Sequence, residues 1–128
     1  MSEMSNYLEN ALINVTLRAT TYTAPTTVYV GLYTSDPTDA NTGTEVTGGS
    51  YVRKSATFAA PSNGVSTTSA DITFDQATAS WGTIGWIGIL DASTTGNLLY
   101  HTPLDTSKTI DTGDIFKIAA GSLTVTLA

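Results

Sequence analysis

The stretch that most constrains the fold is Trp81 to Leu90, WGTIGWIGIL. It is too short to cross a bilayer, which takes about 20 apolar residues. Ile84, Ile87 and Ile89 and both tryptophans favour a strand. Gly82, Gly85 and Gly88 would weaken a helix, whereas in a strand they mark bulges, bends or the close approach of another backbone. A strand buried on both faces, near the centre of a β-domain, is therefore expected. A second use of the stretch leaves one tryptophan at the surface as an anchor for a partner, since aromatic residues are enriched at interfaces.

With 128 residues the chain is read as one domain, 1–128, long enough for a real core. Its 5 basic and 11 acidic residues give a net charge of −6. The positive side chains, Arg18, Arg53, Lys54, Lys108 and Lys117, are scattered rather than gathered into the basic stripe of a nucleic-acid binder. Only 12% of residues are charged, which with the many threonines suits strands and turns better than a solvated helical bundle. With 0 cysteines, disulfides and thiolate–metal sites are excluded and the redox compartment is open. The first residues lack the basic and apolar regions of a secretory signal, so the bacterial cytoplasm is the expected place of assembly.

In chain order, residues 1–5 read as a loose end, with residues 1–3 as an extension before a second possible start at Met4. A helix is expected over 6–19, with Asn6 as cap and Glu9 at capping-box spacing. Leu8, Leu12, Val15 and Ala19 form its apolar stripe, either packed on the sheet or presented as an arm to a neighbouring subunit. The β-domain then covers 28–128. Strands are expected at 28–34, 51–59 (an edge strand, given Lys54 between Val52 and Phe58), 65–74, 81–90 and 98–102, with Pro103 ending the last or marking an edge. Pro61-Ser62-Asn63-Gly64 is a turn in which Asn-Gly tolerates positive φ. The segments 115–120 and 123–127 read as a closing hairpin. The sum is a mainly β chain, a β-sandwich or jelly-roll-like domain with one N-terminal helix.

The long loop 35–50 gathers Asp36, Asp39, Asn41 and Glu45. Weak Ca²⁺ binding is one reading of this set, but the spacing does not fit an EF-hand loop and turn residues look the same. An interaction loop is the better reading. His101, the 1 histidine of the chain, has no cysteine partners and makes a poor metal site on this pattern. There is no nucleophile elbow, and the glycines at 43, 48 and 49 lack the lysine of a phosphate loop. Asp36/Asp39 and Asp111/Asp114 sit in turns, where aspartate is expected for local hydrogen bonding. The expectation is no enzyme, no cofactor and no metal.

Four segments carry a resemblance: YLENALINVTLRATTYTAPTTVYVGLYTSDPTDANTGTEVTGGSYVR, FAAPSNG, WGTIGWIGILDASTTGNLLYH and DTGDIFKIAAGSLTVTL. Together they span nearly the whole chain, and they resemble a group of small bacteriophage virion proteins, tail fibre-like or head decoration proteins. The resemblance implies a structural component of the virion, without catalytic residues to carry over. The first function reading is a capsid decoration (cement) protein bound to the head shell. The alternative is a tail or neck fibre module contacting the host surface. Expected partners are the major capsid protein or other virion proteins and further copies of the chain, as a homo-oligomeric trimer or dimer, with no nucleic acid and no membrane. Candidate interface residues are Leu8, Leu12 and Val15 of the helix, Asp36, Asp39 and Glu45 of the loop, and the aromatics Tyr51, Trp86 and Tyr100.

Overall fold

The computed structural model describes residues 2–127. Met1, part of the expected loose end, and Ala128, the last residue of the expected β-domain, lie outside the described residues. The chain is mainly β, sandwich-like, with its helix near the N-terminus. Strand β1 (Glu3–Met4) leads into helix α1 (Asn6–Leu17), followed by β2 (Val28–Tyr33), β3 (Lys54–Ala56), β4 (Val65–Thr67) and β5 (Ile72–Thr73). The long strands β6 (Gly82–Leu90) and β7 (Leu98–Ile110) come next, then β8 (Lys117–Ile118) and β9 (Thr124–Thr126). The main sheet has five strands in the order β1-β7-β6-β2-β3. All its pairs are antiparallel, and β6 is the middle strand.

The tryptophan-rich stretch is thus central, as its composition demands. From Ile87 to Leu90 every residue is buried, so both faces are covered. Ile84, Ile87 and Ile89 join Val30 and Leu32 of β2 on one face. Ile72, Phe74, Phe116, Ile118 and Leu123 close over that face from the β4–β9 and β5–β8 ladders. Phe74 is the hub, with its ring edge-on to Phe116 at 5.7 Å and to Trp81 at 6.5 Å. On the opposite face Gly88 lies directly across from Gly31. A Cβ at Gly88 would come within 2.7 Å of the Tyr33 ring and 2.9 Å of Leu98, so only glycine admits that ring against the sheet.

Several expectations change. Residues 1–5 are not a loose end: Glu3 and Met4 pair with His101 and Tyr100, and the Ser5 N–H donates to Leu99 O at 2.9 Å. The helix cap is Ser5 rather than Asn6. Ser5 Oγ accepts from Leu8 N at 3.2 Å and donates to Leu98 O, which ties the cap to the sheet. The helix ends at Leu17 rather than 19, because Ala19 turns left-handed (φ 52) while Thr20 N bonds back to Asn14 O.

The strand expected at 98–102 runs on to Ile110 through Pro103. Past β1 that edge of β7 has no described outer strand to receive an N–H. Pro103 also borders a bulge: it pairs with Trp86 while Lys108 pairs with Ile84, leaving 104–107 opposite Gly85. The edge strand expected over 51–59 shrinks to β3, which does occupy the sheet edge. The closing hairpin does not form. β8 and β9 lie end to end along 65–73, pairing with β5 and β4, because 119–122 form a local turn, with Ser122 N bonded to Ala119 O and Gly121 at φ 79, that leaves both flanks facing 65–73. The Asn63–Gly64 turn is as expected, with φ of 52 and 77 and reciprocal bonds between Ser62 and Val65.

Candidate interaction surface

Two polar corners, one helix face and one cleft are the features a partner could meet. The first corner is assembled by register. Glu3 stands directly across from His101 on neighbouring strands, so both side chains leave the same face. The 36–39 turn folds onto that face, held by a hydrogen bond from Asn6 N to Asp39 O at 2.9 Å. His101 is 5% exposed, and its Nε2 lies 2.8 Å from Asp39 Oδ1 and 3.9 Å from Glu3 Oε2. Its Nδ1 is 3.9 Å from Asp36 Oδ1, which also accepts from Thr38 N. Among the described residues no lysine or arginine pairs with these three carboxylates.

The second corner centres on Arg53. Its Nε and Nη2 donate to the two carboxylate oxygens of Glu45, both at 2.8 Å, and its Nη1 donates to Ala92 O and Thr95 O. The Glu45 hydrogen bond holds the guanidinium above its ordinary pKa. Tyr51 donates to Glu45 Oε2 at 2.6 Å and accepts from Leu32 N at 3.0 Å. Burial first, then the bond to Glu45, pushes its pKa up. Tyr33 donates to Asn41 Oδ1, and burial raises its pKa to about 12. Through these bonds, and Val46 N to Leu32 O, the 35–50 loop covers the edge of β2 that β3 leaves open.

Helix α1 lies on the sheet with Leu8 as its buried residue and meets β7. On the opposite side Ile13 and Leu17, one turn apart, are 53% and 78% exposed, while Val15, on the Leu8 side but beyond the sheet contact, is 39% exposed. Elsewhere, Val28, Phe58, Ile89, Tyr100, Val125 and Leu127 line an apolar cleft of about 370 Å³.

The candidate residues therefore fall in different places. Leu8 is buried and cannot dock, and Leu12 is half-buried, whereas Val15 is exposed. Asp36 and Asp39 are brought together with His101, but Glu45 is turned away to Arg53 and Asn41 to Tyr33, so the calcium-loop set is not assembled. Tyr51 is packed against Phe74 and Trp81, Trp86 is half-buried in β6, and Tyr100 lines the cleft. Sequence reasoning missed Glu3 and Arg53, and set His101 aside. Glu3 and His101 meet only through the β1–β7 register, which no local pattern announces. The exposed Ile13 and Leu17 were legible as apolar residues off the expected stripe.

The family model "Podophage GP4 fiber I protein gp80" matches residues 3–126. The chain belongs to that family, a family of phage virion structural proteins. No curated protein matches the chain.

Proposed function

Proceeding from that membership, we propose that the chain is a module of a phage tail or neck fibre. It acts by contact rather than catalysis. The match of a fibre-protein family over residues 3–126 carries this reading, and supports it better than the capsid-decoration reading ranked first from sequence. The exposed Ile13 and Leu17 supply a docking face for another virion protein. The main sheet and its ladders form the scaffold that presents it. The test is location: intact virions labelled with a specific antibody fragment are imaged by electron microscopy. Label confined to tail or neck supports the fibre module. Label at regular sites over the head overturns it in favour of decoration, and unlabelled virions overturn both.

A further inference from the structure

From the corner where β1, the 36–39 turn and β7 meet, we infer that the chain binds one divalent transition-metal ion of the zinc class. Glu3, Asp39 and His101 Nε2 supply the ligands. Their donor atoms lie within 4.8 Å of one another, with His101 Nε2 2.8 Å from Asp39 and 3.9 Å from Glu3. Ligands held about 2.1 Å from a tetrahedral zinc stand roughly 3.4 Å apart, so the two observed separations bracket what the ion needs. Closure requires only the two carboxylates to adjust, and they are 45% and 64% exposed.

Two further observations point to a cation rather than to a chance meeting of acidic groups. The imidazole is buried and its two nitrogens face different carboxylates: Nε2 faces the ligand pair, and Nδ1 faces Asp36. Asp36 lies 3.9 Å away, beyond hydrogen-bond reach, on the side where a metal-bound histidine takes the outer partner that orients its ring. The charge is also unbalanced. Three carboxylates share one imidazole, with no lysine or arginine paired to them among the described residues. A dication supplies the missing positive charge. One nitrogen and two oxygen donors suit zinc and its neighbours, whereas calcium asks for six to eight oxygens that this corner does not offer. The remaining position is open to water. The ligands come from three separate segments, so the ion clasps β1, and with it α1, to the sheet.

The test uses the full chain, stripped with a chelator and titrated with ZnCl₂ by calorimetry and in thermal melts. Expected is one ion per chain, with Tm raised by roughly 5–10 °C at 100-fold excess over Kd. Co²⁺ should give a visible absorption band that is lost when zinc is added. Glu3→Gln alters an exposed side chain and leaves the metal-free Tm unchanged, yet it weakens zinc at least about tenfold, as does Asp39→Asn. Absence of saturable zinc binding would overturn the site. So would zinc binding unchanged in both variants, or Ca²⁺ raising Tm as much as zinc does, since either reports only a diffuse acidic surface.

Discussion

At one corner of the molecule Arg53 grips both oxygens of Glu45 while Tyr51 and two carbonyls take up the remaining hydrogen bonds. At the other, Glu3, Asp36 and Asp39 face a single imidazole. Both corners anchor the same loop, 35–50, yet they differ in what they leave over. The Arg53 corner is saturated from within, with side chains only 9% and 22% exposed, so it holds the fold and offers little outward. The His101 corner keeps carboxylates half in water. Internal completeness marks the scaffold, and unspent bonding capacity marks the surface that meets something else.

The comparison can be broken by mutation. Arg53→Met should have the largest effect. It leaves a half-buried Glu45 carboxylate without its cation, costing about 3 kcal/mol and lowering Tm by on the order of 10 °C. A change under 2 °C would show that the corner is not structural. Tyr51→Phe removes the hydroxyl that serves Leu32 N and Glu45, at a cost of about 1–2 kcal/mol, to be read from urea melts.

The same corner sets alkaline stability. Tyr33 and Tyr51 are held neutral in the fold, their pKa values raised above the ordinary 10.0. Their contribution is complete below pH 10 and is lost as pH rises, for Tyr33 through about 12. Melts from pH 9 to 12 should fall steadily, and less so in Tyr51→Phe.

At the other corner, Asp39→Asn in the metal-free chain should cost only about 0–1 kcal/mol, because its carboxylate is 45% exposed. A loss as large as that of Arg53→Met would erase the distinction. The smallest effect belongs to neither corner. The Asp71 carboxyl is held below its ordinary value of 3.8, first by Ala120 N–H and then by Lys117. Its contribution exists at neutral pH and disappears as pH falls through that lowered value, so Asp71→Asn should differ from wild type only above it, and barely.

The sheet's centre was legible because Trp81–Leu90 states its burial in composition alone. So was the Asn63–Gly64 turn, whose chemistry is local. What the sequence hid is non-local. Pro103 reads as a stop or an edge, and the edge is what the fold uses: it stands where β7 has no described outer strand, beside a bulge, and the strand runs on. Segments 115–120 and 123–127 look like partners for each other, yet each finds its pair in 65–73. The helix stripe was drawn from spacing, but Val15 on that stripe is exposed, since α1 is short and touches the sheet mainly through its first turns. Of the candidate site, the loop carboxylates were visible, while His101 reaches Asp39 from 62 residues along the chain and Glu3 through the β1–β7 register.

On the proposed function, the outward face of α1, and not the sheet, joins the chain to the particle. The most direct measurement is virion incorporation of the double variant Ile13→Asp with Leu17→Asp, alongside its melting curve. Both residues are already exposed, so a Tm within a few degrees of wild type and absence from purified particles are expected. Incorporation at the wild-type level, by a protein that melts normally, would contradict it.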